Sequence, residues 1–209
     1  MPRERETMYR WRNLTDEQRR QTLDQRRQYQ QPWHSIPHRS DETRTVYMLT
    51  AACFEHAPVI GKSPERMAKF EADLVQLLYE TCTQIYAWTV LPNHYHTLVQ
   101  TQGILGLLKQ LGKLHGRSSF DWNGEDDHRG RQVWCNAAET VMKSESHLHA
   151  STNYVLHNAV KHGYAKQWTD WPYCNASEYL ESVGREKALR FWKSYPIDDY
   201  GSDWDPVDL

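Results

Sequence analysis

The sequence has few of the features that mark membrane, secreted and strongly basic DNA-binding proteins. No apolar run is long enough to span a membrane, and the charged start Met1-Pro2-Arg3-Glu4 is unlike a secretory signal. The four cysteines form no Cys-X-X-Cys pair, which indicates reduced thiols rather than disulfides or a zinc framework: Cys53, Cys82, Cys135 and Cys174. The net charge of -2 means that any phosphate contact must depend on a local basic patch. We therefore expect a soluble, cytoplasmic protein.

Aromatic residues, by contrast, are abundant: the chain has nine Trp and twelve Tyr, which suit both packing and base stacking. A length of 209 residues predicts one domain with appended segments. We expect an Arg- and Gln-rich, partly helical extension at residues 1–43, a folded domain at residues 44–165, and an aromatic, acidic tail at residues 166–209 that packs on the domain.

The N-terminal extension contains repeated arginines, among them Arg10 and Arg12, but almost no apolar helix face. Two interpretations stay open. The segment is either a solvated arm or a basic arm that binds a phosphate backbone.

The domain itself has a recognisable order of elements. The patterns predict a strand at 45–54, a helix from Pro64, strands at 85–91 and 94–100, a helix at 103–114, a charged loop at 123–130 and a weaker strand at 131–136. This βαββαβ order is typical of a ferredoxin-like α+β domain, an antiparallel sheet with both helices on one face. The polar side of the second helix carries Lys109, Lys113 and Arg117, which could face nucleic acid.

The third predicted strand contains two histidines one residue apart. Side chains alternate along a strand, so His94 and His96 share one face and Tyr95 points to the other. Two imidazoles can hold a divalent metal, but a third ligand must come from elsewhere. The alternative is one structural and one incidental histidine.

A third long helix is predicted at residues 144–162, with Gly163 as its stop. Tyr154 and Asn158 project together from it, one turn apart, with Lys161 nearby. Two imidazoles and an amide oxygen suit Mg²⁺ or Mn²⁺ with positions open for substrate, and the phenol could attack an electrophile polarised by that metal. Alternatively, the histidines hold Zn²⁺ in a small metallohydrolase, and Tyr154 is only structural.

Two motifs together carry a resemblance to a known family. The stretch from Trp88 to His96 (WTVLPNHYH), followed by residues 153–163 (NYVLHNAVKHG), resembles the single-tyrosine HUH transposases, and most closely the REP-associated tyrosine transposases. Asp170-Trp171-Pro172-Tyr173 also resembles the stretch that follows the catalytic helix in that group. The resemblance covers roughly residues 45 to 180.

The resemblance implies a ferredoxin-like catalytic domain that cleaves and joins single-stranded DNA, in particular hairpin DNA of the REP type. His94, His96 and Asn158 would bind Mg²⁺ or Mn²⁺, and Tyr154 would attack the phosphodiester to form a 5′-phosphotyrosine. Lys161, Lys109, Lys113, Arg117, Arg10 and Arg12 are the candidate DNA contacts.

Some points depart from the family or stay open. The chain has Asn158-Ala159-Val160 where the family usually has Asn-Pro-Val, and alanine should let the helix continue to Gly163. A domesticated protein that binds hairpin DNA but cleaves it poorly is the alternative function. Relatives include monomers and swapped dimers; we favour a monomer.

Overall fold

The structure, a computed structural model, describes residues 45–197 together with Thr15, Glu17 and Tyr200. Four strands form one antiparallel sheet in the spatial order β2-β3-β1-β4: β1 Val46–Ala52, β2 Gln84–Val90, β3 His94–Gln100 and β4 Ala138–Val141. The α-helices between residues 45 and 197 are α1 Pro64–Thr81, α2 Ile104–Glu125, α3 Glu145–Lys161, α4 Ala176–Val183 and α5 Arg185–Ser194, and two short 3-10 helices lie at Phe54–His56 and Ile60–Lys62. The predicted ferredoxin-like α+β class is confirmed.

The first helix forms where its local sequence predicts it. Ser63 caps the N-terminus by accepting a hydrogen bond from the backbone N–H of Arg66, and Pro64 occupies the first turn. Its apolar face is buried: Met67, Phe70, Leu74, Leu77 and Leu78. The second helix is longer than predicted, since Ser118 and Trp122 continue its buried face. The predicted loop therefore begins at Asp126, because Asn123 to Glu125 are still helical.

The predicted strand at residues 131–136 was wrong. In that segment only Trp134 forms an isolated bridge, to Cys53, and the fourth strand is Ala138–Val141, paired with β1. The apolar side chains of Val133 and Trp134 pack in the core, where the Trp134 ring stacks on Phe70. Their apolar character therefore reflects core packing and not a place in a paired strand. Half-buried β4 at the sheet edge carries a weaker apolar signal.

The two faces of the sheet carry different layers. Residues such as Leu49, Tyr95 and Val99 pack with α1 and α2 in the larger core cluster. Met48 and Leu98 face the opposite way and pack with α3. The sheet is therefore covered on both sides, and α3 lies across from the two core helices.

The chain after α3 packs along the outer strand β2. The Trp171 Nε1–H donates to the Val90 carbonyl at 2.8 Å, and the Val90 N–H donates to the Tyr173 carbonyl at 2.8 Å. Asn175 Oδ1 accepts from the Trp88 N–H at 2.9 Å. These bonds satisfy backbone groups on an otherwise open sheet edge. Helices α4 and α5 were not predicted from the sequence.

None of the helices among the described residues is both long enough and apolar enough to cross a membrane.

Candidate active site

The two histidines of β3 lie side by side on the face that α3 covers. His94 is 2% exposed and His96 is 0% exposed, and their ring centroids are 5.0 Å apart. Tyr95 points to the other face, where its ring packs against Phe70 and Trp134. The alternation predicted for this strand is confirmed.

The Nδ1 atom of each imidazole has a polar partner, one in the turn before β3 and one on β1. His94 Nδ1 lies 2.8 Å from Asn93 Oδ1, and His96 Nδ1 lies 2.7 Å from Thr50 Oγ1 on β1. A carbonyl oxygen can only accept, so His94 Nδ1 carries the proton, and the Thr50 hydroxyl can accept in the same way. In the tautomer with the proton on Nδ1, each Nε2 atom has a lone pair that can bind a metal or accept a hydrogen bond. This arrangement is the one found behind metal-binding histidines.

Helix α3 brings the other two predicted residues to this pair. The Ser144 side chain caps the N-terminus of α3 by accepting a hydrogen bond from the His147 N–H. The helix is followed by Gly163, whose φ of +74° lies in the left-handed region that favours glycine. The Tyr154 hydroxyl lies 3.3 Å from His96 Nε2, and Asn158 Oδ1 lies 3.2 Å from His94 Nε2. Both side chains are 0% exposed. The helix runs unbroken through Ala159, as predicted from the absence of proline there.

Asn158 Oδ1 and His94 Nε2 lie close enough together to be neighbouring ligands of one cation. With the proton of His94 on Nδ1, its Nε2 and Asn158 Oδ1 are both hydrogen-bond acceptors at 3.2 Å, an arrangement that a cation between them would stabilise. Neighbouring ligands of an octahedral ion with bonds of about 2.1 Å lie roughly 3 Å apart. The set of two imidazoles and one amide oxygen thus fits Mg²⁺ or Mn²⁺.

A zinc centre of the usual kind fits less well. Within the part of the chain that the structure describes, no group of three or more His, Cys, Asp or Glu side chains is placed to hold a metal. Catalytic zinc is normally held by three such ligands. The third donor here is an amide oxygen, which suits a harder cation.

Tyr154 is enclosed by cationic and aromatic neighbours. Lys161 Nζ and the centroid of the Tyr200 ring each lie 5.0 Å from the centroid of the Tyr154 ring. The Tyr200 hydroxyl is 2.6 Å from Ser151 Oγ, and burial raises the pKa of Tyr200. The phenol is therefore held in a defined position by several contacts.

Sequence reasoning missed three residues at the site. Asn93 and Thr50 hold the histidine rings, and the His162 ring packs edge-on against His94 with centroids 5.1 Å apart. His162 follows Asn158 by four residues, so helical spacing could have indicated it. Thr50 could not have been found in this way, because its contact depends on how β1 pairs with β3.

The predicted basic residues fall into three groups. Lys161 is at the site, half-buried over Tyr154. Lys109, Lys113 and Arg117 are exposed on the outer side of α2, across the sheet from the histidines. Arg10 and Arg12 lie outside the described residues.

The sheet order, the crossover helices and the added α3 define the class: a ferredoxin-like α+β sandwich with a polar, buried site under its third helix. Among solved structures, a REP-associated tyrosine transposase bound to a REP hairpin has a similar fold. The TM-score is 0.54 at 18% sequence identity, over 78% of this chain and 90% of that one. No protein-family model and no curated protein sequence matches this chain. The likeness establishes the fold.

Proposed function

We propose that the protein is a metal-dependent single-stranded DNA endonuclease and strand transferase that uses Tyr154 as its nucleophile. The proposal is carried by one observation: two side chains one helical turn apart contact the two strand histidines. The Tyr154 hydroxyl lies 3.3 Å from His96 Nε2, and Asn158 Oδ1 lies 3.2 Å from His94 Nε2. The fold-level likeness to a transposase that binds a REP hairpin supports hairpin-containing DNA as the substrate class.

The chemistry follows from the residue types. The Tyr154 oxygen attacks the phosphorus of a phosphodiester, a new P–O bond forms to the phenol, and the bond to O3′ breaks. The leaving O3′ keeps the electron pair of the broken bond and takes up one proton to become a 3′-hydroxyl. This proton balances the one that the phenol loses. A bound divalent ion would supply Lewis-acid stabilisation of the phosphate charge. The phosphotyrosine retains the energy of the broken ester, so the reverse attack rejoins strands without a nucleotide cofactor.

His94, His96 and Asn158 would hold this ion, and their neighbours would keep them in place. Asn93 and Thr50 fix the two rings, and helix α3 fixes the amide and the phenol relative to each other. Lys161, next to the phenol, would contact the DNA phosphate.

The alternative function is hairpin-DNA binding with little cleavage. The observation that favours it is the burial of Tyr154, which is 0% exposed, so a phosphate can reach its oxygen only after neighbouring side chains move.

One assay separates these functions. Protein, Mn²⁺ and labelled single-stranded hairpin DNA are incubated and then denatured, and a covalent protein–DNA adduct is sought. We expect an adduct that Tyr154→Phe abolishes. Tyr95→Phe is the matched control, since Tyr95 is equally buried and its hydroxyl also meets a histidine, His115, at 3.0 Å on the opposite face.

Each result has a distinct meaning. Loss of the adduct in Tyr154→Phe with retention in Tyr95→Phe supports the nucleophile. Hairpin binding by the wild type without any adduct supports the alternative function. Cleavage that persists in Tyr154→Phe would contradict a tyrosine nucleophile and return the water-activating metallohydrolase to consideration.

A further inference from the structure

Two threonine hydroxyls stand out among the described residues because they are buried and have no hydrogen-bond partner. They belong to Thr89 on β2, 1% exposed, and Thr97 on β3, 0% exposed. A buried hydroxyl without a partner is costly, so each such group in a native protein needs an explanation, and a hydrogen bond to a bound water or ion is one of the explanations.

Thr89 lies beside the candidate metal ligands. It pairs directly with His96 across the β2–β3 ladder, so both side chains stand on the face that α3 covers. His96 is held through Nδ1 by Thr50 on its other side, on β1. The Nε2 edge of the ring is therefore turned away from β1, towards the half of the face where Thr89 lies.

We propose that the Thr89 hydroxyl is a positioning group of this site, hydrogen-bonding a water molecule in the coordination shell of the divalent metal. The inference rests on the proposed function, since it requires a metal at His94, His96 and Asn158. A threonine has a short side chain, and on a neighbouring strand it reaches the shell through water rather than directly. Outer contacts of this kind change metal affinity by about 10- to 100-fold.

Thr97 provides a matched control. It follows His96 directly in β3, so its side chain points to the opposite face, on which Tyr95 and Val99 pack with α1 and α2. Both threonines are almost fully buried, and both hydroxyls lack a hydrogen-bond partner. The same isosteric change at the two positions therefore compares a buried, unpartnered hydroxyl beside the site with one on the opposite face of the sheet.

The experiment measures Mn²⁺ affinity by electron paramagnetic resonance, and metal-bound water by water-proton relaxation, in wild type, Thr89→Val, Thr97→Val, Thr89→Ser and His96→Ala. We expect about tenfold weaker Mn²⁺ binding and altered relaxation in Thr89→Val, little change in Thr97→Val and recovery in Thr89→Ser. Thermal unfolding without metal should show Thr89→Val as stable as wild type. If it fails to fold, Thr89→Ala makes the same comparison.

The outcomes distinguish this inference from the proposed function. Wild-type affinity in Thr89→Val, with binding lost in His96→Ala, overturns the role of Thr89 and leaves the metal site standing. Equal weakening by Thr89→Val and Thr97→Val also overturns it, because the effect would then not depend on the site. A wild type that binds no Mn²⁺, or an affinity unchanged by His96→Ala, overturns both.

Discussion

The two faces of the sheet each contain a buried tyrosine in contact with a histidine. On one face the Tyr95 hydroxyl lies 3.0 Å from His115 Nε2, and on the other the Tyr154 hydroxyl lies 3.3 Å from His96 Nε2. The pair contact is thus nearly the same, and all four side chains are less than a tenth exposed.

The surroundings of the two pairs differ. His115 stacks on Trp134 with ring centroids 4.3 Å apart, and Tyr95 packs against Phe70. Burial lowers the pKa of His115 to about 4 and raises the pKa of Tyr95. Around Tyr154, in contrast, lie an amide, a second imidazole and an ammonium group. A tyrosine–histidine contact is therefore a packing feature on one face and part of a candidate reaction centre on the other. The difference is the amide, the second imidazole and the ammonium group near Tyr154.

The largest effect should come from removing a candidate metal ligand. We expect His94→Ala to reduce Mn²⁺-dependent DNA cleavage by at least about 100-fold, because metal affinity already falls by up to that factor when only an outer contact is lost. Hairpin affinity should change little, since phosphate and base contacts carry binding. Cleavage rates and binding isotherms check this, with His115→Gln as the control on the other face. Equal loss of cleavage and affinity would contradict it.

The packing pair should show its effect in the pH dependence of stability. The pKa of His115 is about 4 in the folded protein, against an ordinary value of 6.5, so between these values the unfolded chain binds more protons. Stability should therefore fall as the pH falls from about 6.5 to about 4, by up to roughly 3 kcal/mol from this group. Urea unfolding of wild type and His115→Gln at pH 7.5 and pH 5 measures it. An equal pH dependence in both would assign the loss to other groups.

A smaller effect should show which face the DNA follows. Lys161→Met should weaken hairpin binding severalfold and reduce the slope of log affinity against log salt by about 1. Lys113→Met, on the outer side of α2, tests the opposite face with the same change of charge. If only Lys113→Met alters the salt slope, the DNA backbone lies along α2 and not over Tyr154.

Local patterns predicted which candidate side chains lie on the same face, because these positions depend on two short periodicities. Alternation along β3 placed His94 and His96 together, and the helical turn placed Tyr154 with Asn158. Contacts that depend on strand pairing were not predictable: Thr50 meets His96 from 46 residues away only because β1 lies beside β3. The fourth strand was predicted at the wrong place, because the apolar signal of Trp134 reflects its packing in the core and not a position in a strand. Helix α3 also contacts α5, a helix that the sequence did not predict, and most residues from Ser151 to Ala159 are buried.

The outer side of α3 has a consequence for how the protein can be dissected. The Asn153 amide donates to the Phe191 and Tyr195 carbonyls, at 3.1 and 2.8 Å, and His157 is sandwiched between the rings of Trp168 and Trp192. A recombinant fragment that stops at residue 165 would keep His94, His96, Tyr154 and Asn158 but would lose these contacts to the outer side of α3. Without these contacts the distance between the Tyr154 phenol and the imidazoles should vary. We therefore expect this fragment to form less covalent adduct with hairpin DNA than the full chain does, even if it folds.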